Sequence, residues 1–219
     1  FRDYMKLQPG QNLLEEAGLP GVDDGEKLRD LVAYLRRVTN GAPIGVKIAA
    51  TNLLEEELGV ITEANIDFLS IAGAEAGIAY GPGITADDYG LPTLPALCRT
   101  AKFLQARGLT EYISLIVSGG FYNPGQVLKA LVLGADAVAL GTILLLVMAH
   151  TQSAKVLPWE PPTELLYDTG KLQKKFSVDQ GAQSVANFLK SCHAEIKLGL
   201  RNLGLTSLQE LSLVDIAAL

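Results

Sequence analysis

Two glycine turns carry the clearest chemistry in this chain. Ser118-Gly119-Gly120 ends one apolar run, and Gly141-Thr142 ends the next, one helix–strand repeat later. Glycine lets an anion approach the backbone closely, and free N–H groups at a helix N-terminus favour a phosphate. Two such turns at consecutive strand ends point to a phosphate grip. The alternative is that the glycines only permit tight turns. Lys47 is the second candidate, the one charge in the run Ile44 to Ala50. An ammonium in such a run faces a polar ligand or a carboxylate at the strand mouth, unless the strand is an edge with Lys47 in solvent. Glu75, in a Gly/Ala-rich stretch, is the third. Its carboxylate could face a substrate, or be a solvated loop charge, as Asp87 and Asp88 are expected to be.

Other chemistries find no support. His150 and His193 have no metal-ligand neighbour at i+3 or i+4. Cys98 and Cys192 lie far apart without CxxC spacing and read as free thiols in a reducing compartment. No nucleophile elbow, P-loop or G-x-G-x-x-G follows a strand. The net charge of −6 makes nucleic acid and anionic membranes poor partners, while backbone N–H groups still allow a nucleotide ligand. The longest apolar run, Ala137 to Ala149, is interrupted by Gly141-Thr142 and is too short to cross a bilayer. A cytoplasmic protein acting on a small molecule is expected. The opening Phe1-Arg2-Asp3-Tyr4 reads as the middle of a longer chain.

The elements that must position these residues follow from periodicity. Residues 1–25 hold Pro9-Gly10, Pro20-Gly21 and Asp23-Asp24-Gly25 and read as a loop-rich lead-in. Leu28, Leu31, Val32 and Leu35 predict a helix over 26–38. Strands are expected at 44–50, 66–72, 113–117 and 137–140, with helices at 53–64, 95–106, 124–133 and from 142 to 150. Asn123 and Pro124 are the N-cap and first position of one of these helices. A long loop is expected over 73–92. Strands alternating with helices of this length predict a parallel sheet, either half of a (β/α)8 barrel or a doubly wound sheet. Residues 26–150 would be that half-barrel. Residues 151–219 would be a proline-rich connector and C-terminal helices packing on it, with one amphipathic helix over 178–203 capped by Gly204 and a short helix from about Ser207.

These motifs resemble the FMN-binding domain of glutamate synthase. The likeness rests on Val46-Lys47-Ile48, on Gly90-Leu91-Pro92 and above all on ISLIVSGGFYNPGQVLKALVLGADAVALGT, residues 113–142. Asn187-Phe188-Leu189, Leu203-Gly204 and Ser207-Leu208 are similar to the family's ending. Paired glycines followed by Gly-Thr also occur in FMN barrels of the 2-hydroxyacid oxidase and inosine-monophosphate dehydrogenase types. The resemblance implies the C-terminal half of a (β/α)8 barrel whose cofactor is FMN. Ser118, Gly119, Gly120, Gly141 and Thr142 would hold the phosphate. Lys47 would stand near the flavin pyrimidine end and stabilise negative charge on the reduced ring, and Glu75 would be a further catalytic candidate. The reaction would be reductive amination of 2-oxoglutarate to glutamate, with ammonia or a glutamine-derived nitrogen. Implied partners are the N-terminal half of the barrel and an electron-donor protein or glutaminase subunit. Other FMN-barrel oxidoreductases and a catalytically degenerate flavin-binding module are the alternatives. In this chain Ala74 to Ala79 stands where the family has a polar His-Asp-Gly-Gly-Thr-Gly loop, and residues 148–163 hold no cysteine to ligate an iron–sulfur cluster.

Overall fold

The structure, a computed structural model, describes residues 19–77, 90–156 and 159–216. The elements expected within 1–18, and the loop centre that holds Asp87 and Asp88, lie outside these residues. The order is α1 (Gly25–Val38), β1 (Gly45–Ala49), α2 (Leu54–Thr62), β2 (Phe68–Ala72), α3 (Thr93–Ala106), β3 (Ser114–Ser118), α4 (Pro124–Val132), β4 (Ala137–Ala139) and α5 (Thr142–His150). One turn, α6 (Thr163–Leu166), and a long helix, α7 (Val178–Asn202), follow.

The four strands form one sheet in the order β1-β2-β3-β4, every pair parallel. That order decides between the two architectures. A doubly wound sheet reverses direction at a switch point and carries helices on both faces. Here the order never reverses, and the helices lie on one face. Leu69, Ile71, Leu115 and Val117 point to the helices and are buried with Leu54, Leu58, Leu97 and Leu104. Each such side chain contributes about 1.5–3 kcal/mol. The other face is open among the described residues. Register places Lys47, Ser70, Ile116 and Ala137 in one row across it, and Ala49, Ala72, Ser118 and Ala139 in the next row toward the strand ends. Parallel sheets are normally covered on both faces. An unreversed parallel sheet with helices outside and small residues inside is an arc of a (β/α)8 barrel.

The strand entries are built alike. Asp67, just before β2, accepts the Ile44 N–H on Oδ2 at 2.7 Å, and its own N–H donates to the Ile44 carbonyl at 2.7 Å. Asp136, just before β4, does the same with Leu115 at 2.7 and 2.8 Å. Arg36 of α1 adds an ion pair to Asp67 at 2.9 Å and donates to the Asn65 carbonyl at 2.7 Å.

Some boundaries differ from the periodicity. Helix α3 starts at Thr93, ahead of Pro95, where the Glu75 carboxylate, 18 residues earlier, accepts the Thr93 N–H. The expected loop after β2 begins with a single 3-10 turn, Ala74–Ala76. The expected helix from Ser207 is two 3-10 turns, Leu208–Glu210 and Leu213–Asp215. Helix α7 packs on α4 and α5. It ends in a Schellman turn, in which Gly204 (φ 77°) donates to Arg201 and Leu205 donates to Leu200.

Candidate phosphate-binding site

The C-terminal ends of the strands are stitched to one another by backbone hydrogen bonds. Ala50 donates to Ala72, Leu91 donates to Ala50, Ala74 donates to Leu91, and Gly73 donates to Ser118. Thr93 sits at the centre of this rim and is buried. Its N–H and its hydroxyl both donate to Glu75 Oε2, each at 2.7 Å. A Cβ added at Gly73 or at Gly119 would collide with the Thr93 hydroxyl. Gly119 (φ 121°) therefore meets both conditions that demand glycine, a left-handed backbone and close approach, and Gly120 (φ 69°) meets the first.

Beyond the glycines, the chain is held by the start of α4. Gln126 Oε1 accepts the Tyr122 N–H at 2.7 Å, and Asn123 and Gln126 form a capping box with Pro124 at the first helical position. The N-cap of α5 is Gly141, which has no side chain to satisfy the first N–H groups of that helix. Among the described residues, the N–H groups of Gly119, Gly120, Gly141 and Thr142 donate to no backbone carbonyl.

These turns enclose a cavity of about 230 Å³. Lys47, Glu75, Ser118, Gly119, Gly120, Gly141 and Thr142 all line it, so every residue singled out by type and spacing meets at one place. Lys47 does lie on an edge strand and is exposed, as the alternative required. It nevertheless stands on the open face, in the row below the glycine turns. Glu75 is not a free solvated charge, since its carboxylate is engaged by Thr93. Burial, the largest influence, raises its pKa. The hydrogen bonds from the Thr93 hydroxyl and from the Glu75 and Thr93 N–H groups together outweigh burial and hold the carboxyl below its ordinary value. Thr93, Phe121 and Tyr122 were not singled out by sequence. Leu91-Pro92 preceding a threonine, a helix-start signature, is the signal that could have found Thr93.

The fold has known counterparts. A flavocytochrome b2 variant solved with sulfite bound superposes with a TM-score of 0.57 over 95% of this chain and 41% of its own, at 19% identity. The described residues are thus part of a barrel of the (β/α)8 type. The conserved region in glutamate synthase matches residues 3–206. The archaeal-type NADPH glutamate synthase of Thermotoga neapolitana is 31% identical over 191 residues, which are 85% of this chain and 37% of that protein. The archaeal NADPH glutamate synthase of Archaeoglobus fulgidus is 30% identical over 210 residues, 94% of this chain and 40% of that protein. The chain belongs to the glutamate synthase family and spans less than half the length of these relatives.

Proposed function

We propose that this chain is the phosphate-gripping part of an FMN-dependent oxidoreductase of the glutamate synthase type. The observation that carries the proposal is the single cavity joining two glycine turns, a helix N-terminus and Lys47. Its donors suit a dianionic phosphate. Among the described residues, four N–H groups donate to no backbone carbonyl, the α5 N-terminus adds its dipole, and Lys47 supplies a cation. Among the described residues, a Cβ at Gly141 would meet no atom within 4 Å beyond its chain neighbours. Packing therefore does not require that glycine, whereas close approach of a ligand would. The volume of about 230 Å³ falls below the ~300–1,000 Å³ of a pocket that holds a whole ligand. It accommodates the phosphate end, and the ring end would rest on the open sheet face.

FMN bound there would supply the redox chemistry, delivery of a hydride to the imine formed from 2-oxoglutarate and ammonia. The chain's own residues do the holding. Gly119, Gly120, Gly141 and Thr142 orient the phosphate through N–H groups, with Ser118 beside them. Lys47 places a positive charge on the open face, where it favours an electron-rich ring. The small row Ala49, Ala72, Ser118 and Ala139 leaves room above it. The open face is to be closed by the other strands of the barrel, the N-terminal half. NADPH, named for the relatives, is the reductant this reading assigns, delivered by an electron-donor protein or subunit. Ammonia comes free or from a glutaminase subunit.

The experiment is anaerobic reduction of the intact flavin-loaded protein by NADPH with its donor partner, followed by addition of 2-oxoglutarate and ammonia. Rapid reoxidation with formation of glutamate supports the assignment. Reoxidation that requires oxygen and yields no glutamate defeats it.

A further inference from the structure

We propose that Thr93, acting through Glu75, is a positioning residue that holds the Gly119-Gly120 turn in its phosphate-binding shape. The inference rests on the FMN reading and adds to it the part that keeps the turn in place.

Two cavities border the turn. One is the cavity of about 230 Å³ that Lys47 and Thr142 also line. A second cavity, of about 440 Å³, shares Glu75, Gly119 and Gly120 with the first and reaches Leu94 and Leu97 of α3 and Lys129 of α4. A segment bordered by two cavities depends on the few contacts at its ends. At the far end, Gln126 holds Tyr122. At the near end, Gly119 lies against the Ala76 backbone and the Thr93 hydroxyl, and Thr93 is the side-chain contact.

Three features make Thr93 that contact. Its hydroxyl occupies the space where Gly119 and Gly73 lack side chains. The same oxygen lies 3.4 Å from the Ser118 carbonyl, which also accepts the Gly73 N–H at 3.0 Å. Both Thr93 donors are then locked by one oxygen of Glu75, while Glu75 Cβ lies 3.2 Å from the position a Cβ on Gly120 would take. The pair thus touches both glycines of the turn. A charged acceptor at the first turn of α3 also compensates the unpaired N–H groups of that helix. Both Thr93 donors are committed to Glu75, and an ionised Glu75 has no donor to offer, so the pair acts through the backbone it positions.

The test uses the intact protein and four variants: Thr93→Val, Thr93→Ser, Glu75→Ala and the double variant Thr93→Val/Glu75→Ala. The readouts are FMN titration, amide hydrogen exchange of the peptide that contains Gly119 and Gly120, and thermal melting. Thr93→Val and Glu75→Ala are each expected to weaken FMN about tenfold and to speed exchange in that peptide. The double variant is expected to be no worse than either single one, because both break the same link. Thr93→Ser keeps the hydroxyl and is expected to restore binding and protection. Wild-type affinity and exchange in both single variants, or additive losses in the double variant, would overturn the proposal. If Thr93→Val does not fold, Glu75→Ala alone decides on the same readouts. If the wild-type protein binds no FMN, the flavin reading falls. Exchange at Gly119 and Gly120 then decides the positioning role by itself: unchanged exchange rejects it, and faster exchange with rescue by Thr93→Ser sustains it.

Discussion

Asp136 and Leu115 hold each other by two hydrogen bonds, the Leu115 N–H donating to Asp136 Oδ2 at 2.7 Å and the Asp136 N–H donating to the Leu115 carbonyl at 2.8 Å. The pair sets the register of β4 against β3, and with it the height at which Gly141 follows the strand. Asp136→Ala leaves the Leu115 N–H without its acceptor. The expected cost is about 1–3 kcal/mol, toward the low end because Asp136 is exposed and water can replace it. Denaturant unfolding of the intact protein measures it. A loss well under the lower figure would mean that the pair does not hold the register.

Asp67 performs the same task at β2 and carries Arg36 as well. The Arg36 guanidinium, and then the Ile44 N–H, hold its carboxyl below the ordinary range against a smaller opposing effect of burial. The sign follows from the lowered folded value. The contribution of Asp67 is present above the unfolded carboxylate value, about 3.9, and is lost as pH falls through the folded value. Asp67→Asn should therefore unfold more readily than wild type at neutral pH, with the difference shrinking in strong acid. A difference independent of pH would remove the charge from the explanation.

Gly119 and Gly141 should behave oppositely when changed to alanine. At Gly119 the added Cβ meets the Thr93 hydroxyl at a positive φ, so about 1–3 kcal/mol of stability should be lost. At Gly141 the Cβ meets nothing among the described residues beyond its chain neighbours, so stability should stay within about 0.5 kcal/mol. The methyl there enters the cavity, and FMN affinity should fall about tenfold or more. Melting curves and flavin titrations separate the two. Gly141→Ala with unimpaired binding would move the phosphate elsewhere.

Lys47→Gln removes the cation from an exposed position, and the fold should be retained. If Lys47 favours the electron-rich ring, the variant should bind reduced FMN less well relative to oxidised FMN, and the flavin potential should fall. Equal potentials in variant and wild type would reduce Lys47 to an edge-strand charge.

Much of this was legible in the residues themselves. The apolar runs around Val46, Leu69, Val117 and Val138 predicted four strands, and the four form one parallel sheet. Asn123-Pro124 predicted the start of α4, and the structure adds Gln126 to complete the box. The barrel type and the glutamate synthase family were also readable from these motifs. What escaped depends on contacts between distant segments. Leu91-Pro92 before a threonine marks the start of that helix, but no local pattern reveals the Glu75 carboxylate that reaches Thr93 from 18 residues earlier. The shared role of Asp67 and Asp136 depends on register. Asn65-Ile66-Asp67 and Gly134-Ala135-Asp136 share a buried apolar residue before the aspartate and, in the structure, a left-handed residue before that, which is too short a pattern to reveal the pairing. Leu189 of α7 stays 46% exposed, which the amphipathic pattern of that helix does not reveal.

The most direct measurement is a crystal structure of the intact protein with FMN bound. The account predicts the phosphate within hydrogen-bonding distance of the N–H groups of Gly119, Gly120, Gly141 and Thr142, with Lys47 facing the ring. A phosphate bound away from both glycine turns, or a protein that takes up no FMN at saturating concentration, would contradict it.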